Sequence, residues 1–399
     1  MTSEFARHWT LDPSIDYLNH GSFGACPRAV LEAQQELRAR LEREPVHFMV
    51  RELERGLDAT RAALAPFIHA APEDLVFVPN ATTGVNTVVR ALEFAPGDEI
   101  LTTDHAYGAC RNAIEDVARR SGARVVVAAV PFPLHDSRQV VDAVLGAAGP
   151  RTRLVLLDHV TSPTGLVFPI EQLVPQLTAR GIETLVDGAH APGMVPVDLE
   201  ALGATYYTAN CHKWLCAPKG AAFLWVRRDR QRAMHPLVVS HGATSPRRDR
   251  TRFLMEFDWM GTSDPTAVLT VPVALATVAA LVPGGWPEVQ RRNRILALQG
   301  RRALCEALHV PPPAPDEMIG SLASVPLPAG DPGAPPVAMW TDPLQAILFE
   351  QHQIEVPVFQ WPQAPHRLVR IAAQLYNTPA QFERLAATLA TLLLGSAGR

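Results

Sequence analysis

A lysine at position 213 of this 399-residue chain sits in Asn210-Cys211-His212-Lys213-Trp214, between apolar runs at 204–208 and 221–226 that read as buried strands. A lysine held there is costly unless it is paired or used. Desolvation lowers its pKa and leaves a nucleophilic amine able to form a Schiff base with an aldehyde. Other residues have chemistry to match. Asp187 opens Asp187-Gly188-Ala189-His190 directly after an apolar run at 184–186. Asn80-Ala81-Thr82-Thr83-Gly84 stands between a short strand and a helical pattern. Hydroxyls and free backbone N–H groups at a helix start attract an anion, although plain N-capping by threonine uses the same residues. Arg370, in Val369-Arg370-Ile371, is an awkward charge in an apolar strand unless it forms a structural ion pair or clamps a carboxylate through two N–H groups.

The elements that must hold these residues alternate strand with helix. Strands are predicted at 75–78, 99–103, 124–130, 154–158, 184–186, 204–208 and 221–226. Helices are predicted from 27 to 44, from Val85 on (Val85, Val88, Val89 and Leu92 recur at helical spacing), after Tyr107 to 121, and over 169–180. This order predicts an α/β fold with a mainly parallel seven-stranded sheet, whose ligands lie beyond the carboxyl ends of the strands. Thr82, His105, Thr161, Asp187, His190 and Lys213 each follow a strand, so they converge on one edge. Residues 256–264 read as a loop. Residues 265–287 carry no charge until past the length of a membrane span, yet Pro265, Pro272, Pro283 and three threonines make a buried helix the better reading. From 286 the character changes: a basic helix at 290–308, strands at 321–325, near Val356 and at 368–371, and helices at 344–352 and 381–394. Stretches 311–316 and 326–336 read as weakly structured. The expected division is an N-terminal segment 1–25, a large domain 26–282 and a smaller α+β domain 283–399.

Composition excludes several classes. A formal net charge of −4 implies neither a nucleic acid nor an acidic membrane as partner. Cys26, Cys110, Cys211, Cys216 and Cys305 are scattered without metal-ligand spacing, which points to a reduced, cytoplasmic protein with no metal site. Glu4 and Arg7 with no apolar stretch beside them argue against a signal peptide.

An amine for an aldehyde, an acid for a protonated ring nitrogen and a helix start for a phosphate describe one cofactor, pyridoxal 5'-phosphate. Its electron-sink chemistry needs the acid opposite the ring nitrogen, and His105 could lie flat on the ring. In these motifs the chain resembles the class V aminotransferase family of fold-type I pyridoxal phosphate enzymes. It is most similar to the branch named for isopenicillin N epimerase, with ergothioneine-pathway C–S lyases nearby. The resemblance runs from Leu18-Asn19-His20-Gly21-Ser22-Phe23-Gly24 to Val369-Arg370-Ile371, and its most specific motifs are Asp-Gly-Ala-His at 187–190 and His-Lys-Trp at 212–214. It implies that Lys213 carries the cofactor, Asp187 pairs the pyridine nitrogen, His105 stacks on the ring, and His190 sits near the ring hydroxyl. It also implies that Ala81, Thr82, Asn210 and His212 bind the phosphate, although many relatives have Ser where Asn210 stands. Thr83 and Thr161 complete the expected cofactor set. Thr262, in Gly-Thr-Ser, resembles a loop that reaches the phosphate of a neighbouring subunit, which implies a homodimer. Arg370 would clamp a substrate carboxylate, with Asn19, His20 and Tyr107 lining the pocket.

Cysteine desulfurases of this family use a cysteine shortly before the arginine strand, and no cysteine follows Cys305 here. A persulfide-forming thiolate is therefore missing. Three reactions remain, all starting by loss of the Cα proton: epimerisation, which the likeness favours; β-elimination, as in a C–S lyase of the hercynylcysteine sulfoxide lyase type; and amino transfer. Epimerisation needs a second acid–base group, Tyr107 or a histidine, on the face of Cα opposite Lys213. A nicotinamide-dependent oxidoreductase would need a Gly-x-Gly-x-x-Gly turn where Asn80–Gly84 stands. A catalytically inactive binding protein would not need Lys213, Asp187 and Arg370 together.

Overall fold

A computed structural model describes residues 3–330, 342–393 and 395. Its strands are β1 (Asp16–Tyr17), β2 (Leu75–Val78), β3 (Glu99–Thr103), β4 (Arg124–Ala128), β5 (Thr152–Asp158), β6 (Glu183–Asp187), β7 (Tyr206–Asn210), β8 (Ala222–Val226), β9 (Leu322–Leu327), β10 (Ile354–Glu355), β11 (Val358–Gln360) and β12 (Arg367–Ala372). Seven of them form one sheet in the order β2-β8-β7-β6-β5-β3-β4. The block from β7 to β4 is parallel, and β8 runs antiparallel to both β7 and β2. The sheet is thus mainly parallel, as its alternation with helices predicts.

Most strand residues are buried on both faces because helices cover both. Ala81–Ala91 and Gly108–Ser121 pack one face through Val85, Val88, Ile114 and Val117. Arg138–Ala147 and Ile170–Ala179 pack the other through Val140, Val144, Leu173 and Leu177. Gly84 lets its helix press on β7: a Cβ there would lie 2.0 Å from Thr208 Oγ1.

A three-stranded antiparallel sheet, β11-β12-β9, lies under helices Gly285–Leu308 and Pro379–Leu393. The start of the chain joins this part. β1 pairs in parallel with β10, and the Ala372 N–H donates to the Leu18 carbonyl at 2.9 Å. The chain then turns at Gly24, whose φ of +69° suits glycine and whose missing Cβ leaves room for the His212 carbonyl, 2.2 Å from where that atom would be.

Several local readings shift. β7 is Tyr206–Asn210 rather than 204–208, so Asn210 ends the strand instead of following it. Residues 256–258 belong to a helix, Arg252–Asp258, capped by Thr251 through Leu254 N. The uncharged run breaks into Thr266–Leu269 and Val271–Ala279 before Gly284 and Gly285 turn the chain at positive φ into helix Gly285–Leu308. No helix among the described residues is long and apolar enough to cross a membrane. Helices Leu53–Leu64 and Arg138–Ala147 were not foreseen. Most of 326–336, and the last residue of the 381–394 helix, lie outside the described residues, whereas 326–327 end β9.

Candidate active site

Lys213 lies three residues beyond β7. Its Nζ is 3.0 Å from His190 Nε2, and Trp214 Nε1–H donates to His190 Nδ1 at 3.3 Å. Because an indole N–H can only donate, Nδ1 must accept, and the neutral ring carries its proton on Nε2. That proton points at the lysine, which accepts it only as a free amine. Burial, then the positive charge of Arg370, lowers Lys213 from 10.5 to about 8. Its remaining accessible surface opens on a cavity. Burial, then Lys213, pushes His190 well below its ordinary range, which keeps the ring neutral. His20 fixes the lysine's backbone, with Nε2 3.0 Å from the Lys213 carbonyl and Nδ1 2.8 Å from the Tyr376 hydroxyl.

Asp187 ends β6. Its Oδ1 accepts from the Ala189 N–H at 3.0 Å and its Oδ2 from the Cys110 thiol at 3.1 Å. Asp158 ends β5 in register with it, so two buried carboxyls stand side by side. Burial raises both, and Asp187 raises Asp158 further. Each carboxyl receives two hydrogen bonds, so the added push from the Asp187 charge is what makes Asp158 the member that holds the proton.

At the start of helix Ala81–Ala91, Asn80 Oδ1 accepts from Thr83 N at 2.8 Å and Asn210 Oδ1 accepts from Ala81 N at 2.8 Å. Thr83 Oγ1 also bonds Asn80, at 3.0 Å, so Thr83 serves the cap. The Thr82 hydroxyl has no partner among the described residues and remains free for an anion. His212 Nδ1 lies 2.9 Å from the Ala221 carbonyl, which leaves Nε2 outward; burial, then Lys213, lowers this ring to about 4.

His105 and Thr161 are not brought to the cavity. His105 Nε2 donates to the Val130 carbonyl at 3.0 Å, and Nδ1 pairs with Thr164 Oγ1 at 2.7 Å. Thr161 Oγ1 pairs with Thr164 at 2.7 Å and accepts from Leu166 N at 2.9 Å. Both residues are fully buried, and the His105 ring packs against Trp361 with centroids 4.6 Å apart. Tyr107, two residues on, is the aromatic ring that lines the cavity. Thr262 lies on an exposed loop and does not line it.

The cavity, about 320 Å³, opens onto Lys213, Tyr107 and Arg370. Arg370 is 1% exposed, and burial lowers it from 12.5 to about 10. Its Nη1 donates to the Ser162 carbonyl at 2.6 Å and lies 3.2 Å from the Ser162 hydroxyl. Its Nη2 donates to Ser22 Oγ at 3.0 Å, and its guanidinium lies over the Phe359 ring at 5.0 Å. Its Nε is buried without a partner, and neither Arg370 nor Lys213 forms an ion pair among the described residues. Phe23, Phe359, Trp361 and Pro163 supply apolar wall. Sequence reading passed over Ser22, Ser162, Cys110 and Asp158, although each stands within three residues of a residue it selected. It had no signal for Phe359 and Trp361, which only the β11–β12 hairpin brings near Arg370.

A fold-type I arrangement, with a lysine and an aspartate at the carboxyl edge of a mainly parallel sheet, defines the class. The profile of the Aminotransferase class-V family matches residues 17–329, and the chain belongs to that family. It is 37% identical to isopenicillin N epimerase of Amycolatopsis lactamdurans, over 96% of each chain. It is 32% identical to a probable chloroplastic L-cysteine desulfhydrase of Arabidopsis thaliana, over 96% of this chain and 83% of that one. Among solved structures, the cysteine desulfurase of Thermococcus onnurineus superimposes with a TM-score of 0.80 at 20% identity, covering 99% of both chains. The cystine C–S lyase C-DES does so with a TM-score of 0.75 at 22% identity, covering 95% of this chain and 98% of that one. These two likenesses speak for the fold.

Proposed function

We propose that this protein is a pyridoxal 5'-phosphate enzyme that removes the Cα proton of an α-amino acid, and that it returns the proton as an epimerase. The observation that carries the reading is a largely buried lysine and a buried arginine facing one cavity, neither in an ion pair among the described residues. Buried cations without counter-charge are expensive and persist where a ligand supplies the charge. The residues fit the cofactor: an amine whose pKa is lowered to about 8 for its aldehyde, the Asp187 carboxylate for its ring nitrogen, and Thr82 with Asn210 and His212 near its phosphate.

When bound, that cofactor supplies an electron sink for the charge left on Cα. The chain does the rest. Arg370 binds the substrate carboxylate and orients Cα. Lys213 Nζ, aligned by His190, takes the proton. Phe359 and Trp361 exclude water from the reacting centre. Burial raises Tyr107, so its phenol stays protonated and can return a proton from a second direction. We also infer a homodimer whose partner approaches the Thr262 loop.

A C–S β-lyase is the second reading, supported by the likeness to L-cysteine desulfhydrases. All five cysteines are buried and none lines the cavity, which disfavours a persulfide-carrying desulfurase in either case. The test is exchange of Cα–H in heavy water across a panel of amino acids, run beside pyruvate release from cysteine conjugates. Exchange with loss of stereochemistry supports the epimerase. Pyruvate release with configuration retained overturns it in favour of the lyase.

A further inference from the structure

A chain of hydrogen bonds runs from Arg370 to a carboxylate. Arg370 Nη2 donates to Ser22 Oγ at 3.0 Å. Ser22 donates to Asn19 Oδ1, and Asn19 Nδ2 donates to Glu355 Oε1 at 3.0 Å. Every direction is forced. A guanidinium has no lone pair to offer, so Ser22 must accept from it. The hydroxyl proton then goes to the Asn19 oxygen, which turns the Asn19 amide toward Glu355, and a carboxylate can only accept. Dipoles aligned in one sense between a cation and an anion strengthen one another.

The fold explains why four residues so far apart in sequence meet. Pairing of β1 with β10 sets Tyr17 against Glu355, and the Leu18 N–H donates to the Glu355 carbonyl at 2.9 Å. Asn19 is thereby held beside the glutamate. The turn from Asn19 into Gly24 then presents Ser22 to Arg370 on β12.

We propose that Glu355, acting through Asn19 and Ser22, positions the Arg370 guanidinium and sets the preference of the cavity for a carboxylate over an uncharged group. This rests on the reading of Arg370 as the substrate clamp. Glu355 is a positioning residue, three links from the arginine. It offsets the buried charge without capping it, so the remaining guanidinium donors stay available to the substrate. A direct carboxylate partner would neutralise the clamp.

The test uses two unreactive ligands, 3-phenylpropionate and its amide, titrated calorimetrically into the cofactor-loaded protein. Glu355→Gln and Ser22→Ala should each weaken the acid by about 3- to 10-fold. Each should change the amide by less than about 2-fold. Because both act through one chain, the double variant should bind the acid no more weakly than Ser22→Ala alone. Equal losses for acid and amide, additive losses in the double variant, or no loss for the acid would each overturn the proposal. If Ser22→Ala fails to fold, Glu355→Gln with the acid–amide comparison still decides. Visible absorbance of bound cofactor, and its loss in Lys213→Ala, report separately on the proposed function. Normal absorbance without an acid-selective loss sinks the relay alone. An acid-selective loss in a protein that never binds the cofactor sinks the function and leaves the relay standing.

Discussion

Replacing Lys213 by methionine in the cofactor-free protein should make it more stable at neutral pH. The lysine's pKa falls from 10.5 to about 8 on folding, chiefly through burial. That difference corresponds to about 3 kcal/mol of disfavour for the folded, protonated state. The sign follows from proton counts. Below pH 8 both states hold the proton and the whole cost is present. Between 8 and 10.5 the unfolded chain holds a proton that the folded chain has released, so stability of the wild type rises with pH across that window. Methionine fills similar space and carries no charge. It forfeits the 3.0 Å contact with His190 Nε2, a loss of about 1 kcal/mol. Lys213 keeps some accessibility inside the cavity, which trims the gain further. The net expectation is a stabilisation of about 1–2 kcal/mol at pH 7 that shrinks through pH 8 to 10.5 and then reverses. Urea unfolding of both cofactor-free proteins at pH 7, 9 and 10.5 measures it. A variant less stable at pH 7, or a difference independent of pH, would refute the claim that this amine is desolvated.

The same lysine makes a kinetic prediction: trapping of an added aldehyde by borohydride at position 213 should quicken about tenfold per pH unit up to about 8 and then level off, and a rise unbroken to pH 10 would contradict the lowered pKa. Arg370→Leu should raise KM for an amino-acid substrate by about 10- to 100-fold with a smaller change in kcat, which steady-state kinetics will separate. Gly84→Ala should cost about 1–3 kcal/mol, because its Cβ would meet Thr208 Oγ1 at 2.0 Å. Gly146→Ala, in helix Arg138–Ala147 with no heavy atom within 4 Å of the added carbon, should gain about 0.5 kcal/mol, and denaturant midpoints will compare the two. His105→Leu should lower stability by about 2 kcal/mol by orphaning the Val130 carbonyl, while the Thr164 hydroxyl keeps Thr161, and should leave the absorbance of bound cofactor unaltered.

The sheet was legible because each of its strands is a short apolar run next to a turn, and a buried parallel sheet demands that pattern. Helix Leu53–Leu64 was harder to see because arginines interrupt it, and one of them, Arg61, is itself buried. It donates to the Leu75 carbonyl at 2.9 Å and pairs with Asp58 and Asp258. A charge that reads as surface is there part of the interior, and no local periodicity announces the partners that permit it. The break in the 265–287 run has a similar cause. Thr270 separates Thr266–Leu269 from Val271–Ala279, and Gly284 and Gly285, at positive φ, start the next helix, all by backbone geometry that hydropathy does not register.

At the site the division has one physical origin. Lys213, Asp187 and Arg370 stand out because a charge in an apolar setting is costly, and the cost is visible in one dimension. The groups that make the cost bearable are ordinary residues: Trp214 fixing the His190 tautomer, Cys110 donating to Asp187, Ser22 and Asn19 leading from Arg370 to Glu355. The sequence motifs include Trp214 and Asn19 but not the partners that give them these roles, and the link from Ser22 and Asn19 to Glu355 arises only from strand pairing between the two ends of the chain. His105 shows the converse. It follows a strand and has the right chemistry, yet both ring nitrogens are committed to Val130 and Thr164. Its ring, which a stacked ligand would need open, is fully buried and packs against Trp361 at 4.6 Å. The orphaned Nε of Arg370 and the lowered pKa of Lys213 are therefore the stronger marks of function, because each records an interaction that the folded chain leaves unmade.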